Sequence, residues 1–148
     1  MSLLAKVVRD YLVARSGYAA ALPGGIHPEQ APQGSAIPYM VTEGTNRTRE
    51  LALDGTVAAS SESVQCTIVA GTRAASAVSA DWVITQIQAT PARQTIGTTV
   101  VHHWRIDDQS DSSESFSDGS DEQARITTLV ITGTMEGCLL YTSDAADE

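Results

Sequence analysis

The stretch SVQCTIVA, Ser63 to Ala70, constrains this chain more than any other. Val64, Cys66, Ile68 and Ala70 alternate with Ser63, Gln65 and Thr67, the two-residue period of a strand with one apolar and one polar face. A half-buried strand needs neighbours in a sheet and a second layer over its apolar side. The chain supplies a candidate layer at once. Gly71-Thr72 breaks the strand, and Arg73 to Ala89 reads as an Ala-rich helix carrying Val78, Trp82, Val83, Ile84 and Ile87, closed by Pro91. Apolar groups cover much of its circumference, which predicts cover on more than one side.

The remaining elements follow from pattern. Residues 2–15 read as an amphipathic helix with Leu4, Val7, Val8 and Tyr11 on one face and Lys6, Arg9 and Asp10 opposite, Ser2 as N-cap and Gly17 as stop. A punctuated loop spans 16–36. Ile37 to Glu43 reads as a strand, with Tyr39 and Val41 on one face and Met40 and Thr42 on the other. Thr48 to Leu53 is a second, weaker strand that ends at an Asp54-Gly55 turn. Thr98 to Ile106 and Arg125 to Met135 are rich in Val, Ile and Thr and predict a long hairpin. The order α, β, β, β, α, β, β predicts an α+β fold: an antiparallel or mixed sheet with two helices on one face.

Length and charge narrow the function classes. A chain of 148 residues is one domain that buries roughly 70% of its unfolded surface. No run reaches the length of a membrane span. Lys6, Arg9 and Asp10 interrupt the apolar N-terminal stretch, where an export signal needs an unbroken core, so the expectation is cytoplasmic synthesis. A formal charge of −9 with scattered basic residues argues against nucleic acid as the main ligand. The final stretch CLLYTSDAADE, residues 138–148, has no periodicity and matches one reading frame of a transposon-end sequencing adapter. The expected native domain is therefore 1–137, with charge −6 once Asp144, Asp147 and Glu148 are set aside and Cys66 as its one cysteine. One cysteine supports neither an internal disulfide nor a zinc cage.

No constellation for catalysis or cofactor binding emerges. His102 and His103 are strand neighbours, whose side chains point to opposite faces and do not share an ion. The run DDQSDSSESFSDGSDE, Asp107 to Glu122, carries seven acids in sixteen residues, but an EF-hand start at Asp107 or Asp111 places Ser112 or Phe116 where the loop needs Gly. It reads instead as a solvated acidic loop at a hairpin tip, with Asp107, Asp108, Asp111, Glu114, Asp118, Asp121 and Glu122 as its charges. No G-x-S-x-G or phosphate-cradling glycine loop is present. Cys66, mid-strand on the apolar face, reads as a small packed hydrophobe. The expectation is a protein that is not an enzyme and takes neither metal nor cofactor.

One segment stands out for its punctuation. GGIHPEQAPQGSAIPYMV, Gly24 to Val41, holds three prolines and three glycines before entering a strand. Its elements Gly25-Ile26-His27-Pro28, Ala31-Pro32-Gln33-Gly34 and Ile37-Pro38-Tyr39-Met40-Val41 together resemble the small tail-completion proteins, or tail terminators, of long-tailed bacteriophages. The strand Val64–Val69, the Ala-rich helix after it and the late hairpin fit the same pattern, so the resemblance spans roughly residues 2–136. The long acidic run and the adapter-like C-terminus depart from it.

The resemblance implies a structural virion protein, made in the bacterial host cytoplasm, that assembles as a ring, typically a hexamer. It would sit on the last ring of the tail tube, stop tube growth and offer a joining surface to the head connector. Its partners would be itself, the tube protein and the connector, with DNA passing through the ring and no membrane or specific nucleic-acid contact. Pro28, Pro32 and Pro38 stiffen the punctuated segment and lower its ordering cost. That fits an assembly arm built from Ile26, His27, Pro28, Pro32, Gln33, Gly34, Pro38 and Tyr39. The acidic run would line the lumen or face outward as a solubilising surface. Alternatives are another small head-completion or tail protein of the same virion, or a small enzyme or ligand-binding α+β domain.

Overall fold

The computed structural model describes residues 3–32, 34–51, 53, 57–89, 93–115 and 123–136. The first helix, α1, covers Leu3–Val13, and a single turn, α2, covers Tyr18–Ala21. Strands β1 (Ile26–Pro28), β2 (Tyr39–Leu51) and β3 (Val57–Ala70) precede α3 (Arg73–Ala89). Strands β4 (Gln94–Ile96), β5 (Thr99–Ser115) and β6 (Gln123–Glu136) complete the described chain. The strands form one six-stranded sheet in the order β1-β2-β3-β6-β5-β4. Every pairing is antiparallel except β1 with β2, which is parallel. The expected α+β class with a mixed sheet is the class found.

The alternation in β3 decides where the helices go. Val64, Cys66, Ile68 and Ala70 are fully buried, and their neighbours across the sheet, Ile131, Leu129 and Thr127 of β6, share that face. Onto it pack Leu4, Val8, Tyr11 and Leu12 of α1 and Ala80, Val83 and Ile87 of α3. Each of the Leu, Val and Ile side chains so removed from water contributes about 1.5–3 kcal/mol. Gly133 of β6 makes room for Leu4: a Cβ there would lie 2.9 Å from a Leu4 methyl.

The C-terminal end of α3 is tied down by two aromatic side chains. Helix-terminal carbonyls lack intrahelical donors. The buried Trp104 indole N–H donates to Ile87 O at 3.0 Å, and Tyr11 Oη donates to Gln86 O at 2.9 Å. The two rings meet edge-to-face with centroids 4.8 Å apart. Arg15 Nε also donates to the Gln86 side chain at 2.9 Å.

Several expectations are corrected. Helix α3 buries one stripe, Ser76, Ser79, Ala80, Val83 and Ile87, while Val78 is 66% exposed, so apolar content alone overstated its cover. Trp82 does gain a second contact, donating to Ser16 O at 3.2 Å beside Gly17. The two strands expected around 37–53 are one strand, β2, carried past bulges at Gly44/Asn46 and Glu50/Leu51 by continuous pairing with β3. Gly17 stops no helix directly; α1 ends at Val13 and Gly17, with φ 88°, precedes α2. The Ser2 cap, the Asp54-Gly55 turn, Pro91 and the 138–148 tail lie outside the described residues.

Candidate assembly surface

The punctuated segment is built into the sheet as its edge rather than projecting beside it. Gly24 approaches Ala36 so closely that a Cβ would lie 1.7 Å from the Ala36 carbonyl oxygen. Gly25 adopts φ 87°, a conformation that favours glycine, and leads into β1. Gly24 N–H donates to Pro38 O at 3.0 Å, Met40 N–H to Gly25 O at 3.0 Å and Glu29 N–H to Thr42 O at 2.8 Å. Ile26 is 4% exposed and belongs to the core, which corrects its place in a free arm. The apolar side chain gains more under the sheet edge than it would in water. Pro28, exposed and opposite Thr42, lacks an N–H as edge positions allow.

The rest of the segment is anchored at both ends. His27 Nε2 donates to Gly24 O at 2.8 Å, and its ring lies 6.2 Å from that of Tyr39. Tyr39 packs against Val69, Ala124 and Ile126, a small apolar cluster on the sheet face opposite the helices. Between these anchors Pro32 and Gly34 are exposed, joined in a turn where Ser35 N–H and Oγ both donate to Pro32 O. Gly34 has φ 83° and Glu29 φ 63°, both left-handed, and the Ile37–Pro38 peptide is cis. Gln33 lies outside the described residues.

The acidic run is not a loop over its first half. Strand β5 continues nine residues past Ile106, pairing Asp108 with Val130, Asp111 with Thr127 and Glu114 with Ala124. The β-rich partner β6 supplies the ladder that low strand propensity in Asp and Ser conceals. Asp107 is the extra residue of a bulge between Ile106 and Asp108. Hydrogen bonds from the Thr132 hydroxyl and then from Arg105 Nε, 2.6 Å away, hold the Asp107 carboxyl below its usual range. Asp108 Oδ1 accepts from Gln109 N–H at 2.9 Å. Asp111 accepts from the Thr127 hydroxyl at 2.8 Å and lies 3.5 Å from Arg73 at the start of α3. Asp118, Asp121 and Glu122 lie outside the described residues.

A second bulge, between Val101 and His103, makes His102 the extra residue, so the simple alternation expected of the two histidines does not hold there. Among the described residues no three of His, Cys, Asp and Glu gather as metal ligands. A further ion pair, also not foreseen, lies deeper. Arg47 Nη2 meets Glu62 Oε2 at 3.1 Å across β2 and β3, with the Glu62 side chain 3% exposed on the helix-bearing face. The register partners, charged residues of opposite sign, were the signal available in the sequence.

The sheet ends in two half-covered edges. Strand β1 pairs only with Met40–Thr42 of β2, and β4 only with Thr99–Val101 of β5. Among the described residues, no strand pairs with the outer edge of β2 from Glu43 onward or of β5 from His102 onward.

No protein-family model matches this chain, and no curated protein sequence matches it. Among solved structures, it is similar to a chain of the virion of a native gene transfer agent particle. The two share 16% identity with a TM-score of 0.60, over 90% of this chain and 95% of that one. At that identity the likeness is one of fold, and it extends over nearly the whole of both chains.

Proposed function

We propose that this chain is a structural virion protein of a tailed phage or phage-like particle: a tail terminator that caps the tail tube as a ring and presents the joining surface for the head. The observation that carries the reading is the near-complete fold likeness to a chain of a gene transfer agent virion. The Gly25–Val41 elements that resemble tail terminators narrow it to the tail end. In this reading the protein is not an enzyme, its first partner is itself, in a ring, and it resides in the finished particle.

Physical features of the edge segment support an assembly role. Its exposed prolines and left-handed turn leave little conformational freedom to lose when a neighbour docks. A head-completion or other small tail protein is the second reading, supported by the same particle likeness.

Light scattering across a wide concentration range, with negative-stain electron microscopy of the same samples, tests the proposal. Closed rings of about six copies are the expected result. A strict monomer at every concentration, also after purified tail tube is added, overturns the terminator reading.

A further inference from the structure

The two half-covered edges fit each other. We infer that, in the ring proposed above and resting on that reading, successive copies join by antiparallel pairing of Asn46–Glu50 on β2 of one copy with β5 beyond its Asp107 bulge on the next. Strand β2 is antiparallel to β3, β3 to β6 and β6 to β5, so β2 and β5 run in opposite directions. A second copy in the same orientation therefore presents its β2 antiparallel to the first copy's β5, a heterologous contact that repeats around a ring.

Local regularity selects the stretches. Between its two bulges β2 pairs with β3 without a break from Asn46 to Glu50, and β5 pairs with β6 without a break from Asp108 to Ser115. Charge then selects the register. Arg49 is opposite Ser60 and Asp111 opposite Thr127, both on the helix-bearing face, and both side chains are exposed at their edges. Setting Arg49 across from Asp111 places Thr48 across from Ser112 and Glu50 across from Ser110, with no like charges opposed. Level alignment would instead bring Glu43 against Asp108, two carboxylates. The acids that admit an arginine also repel a second β5, which guards the edge against indiscriminate pairing.

The edge strands leave space for this register. Met40–Thr42, carrying β1, fall past Ser115 of the neighbour, and Thr99–Val101, carrying β4, fall past Leu51. Across one copy Asp111 is level with Met40, through Thr127 and Ile68, while Arg49 is level with Ser60, so each copy is displaced by eight positions along the strands, the bulge residue Thr45 not counted. That is roughly 26 Å, and a closed ring then requires its strands to slope around the axis.

Amide hydrogen exchange on the unmodified protein, dilute and concentrated, is the first test. Association is expected to add protection in 46–50 and 108–115. The second test is charge exchange. Arg49→Glu and Asp111→Arg, each checked for retained fold by circular dichroism, are expected to weaken self-association about tenfold or more. The double variant is expected to recover most of it. Rings that form with no added protection in these two stretches overturn the edge pairing and leave the ring reading standing, as do single variants that associate like the unmodified protein. An unmodified protein that never associates overturns both.

Discussion

Gly24 and Gly34 are both in the punctuated segment, yet they are glycines for different reasons. At Gly24 the obstacle is the Ala36 carbonyl oxygen, backbone that cannot turn aside; at Gly34, with φ 83° and open space around it, it is only the left-handed conformation. Gly24→Ala is expected to lose about 3 kcal/mol and Gly34→Ala about 1 kcal/mol, read from urea midpoints. Equal losses would mean that the close approach is not a real constraint. Cys66 gives a second prediction at this scale. Burial pushes its thiol from 9.0 up to about 12. Below about pH 9 the thiol is protonated in both folded and unfolded chains, and it contributes no pH dependence there. Above that, the unfolded chain ionises first, so stability falls as pH rises toward about 12, by up to about 4 kcal/mol. Urea melts at pH 8 and pH 10.5, compared with Cys66→Ala, check it: the variant is expected to show the shallower decline.

Elements were legible in the sequence where local pattern and tertiary environment agree. The period in Ser63–Ala70 and the bounds of α3 at Arg73 and Ala89 are cases of that agreement. Three-residue strands such as β1 and β4 are too short to show a period, and both are defined by their partners rather than by themselves. The acidic half of β5 is the clearest disagreement, because Asp and Ser disfavour strands while the β6 ladder imposes one. The same holds for the candidate surface: residue identities in the edge segment were readable, but not that Ile26 lies in the core. This predicts two different outcomes for two changes to the hairpin. Replacing Asp107, Asp108 and Asp111 by Asn is expected to keep the fold within about 1 kcal/mol. Replacing 107–122 by a short Gly-Ser linker is expected to lose more than about 3 kcal/mol, since it strips the outer neighbour from Val130 to Ala124 of β6. Thermal melts of both variants decide; a harmless linker would show that the strand pairing contributes little.

At the scale of the whole molecule, residues 138–148 follow β6, the last described strand. If that tail is adapter-derived, nothing selected it to pack, and its deletion is expected to change stability by less than about 1 kcal/mol. A larger loss, measured by urea titration of the shortened chain, would make the tail part of the fold. The contact of Leu4 with Gly133 has a consequence in time rather than in space. The apolar face of α1 is synthesised first, but the floor it rests on includes β6, the last described strand to be made. Until the ribosome has released β6, Leu4 and Trp104 lack the surface they bury against, so the core can close only after β6 has emerged. Contacts this distant in sequence slow folding and lengthen the interval in which an unfinished sheet edge is open to other chains. Any cell that makes many copies at once therefore depends on each chain closing its own sheet before it meets another.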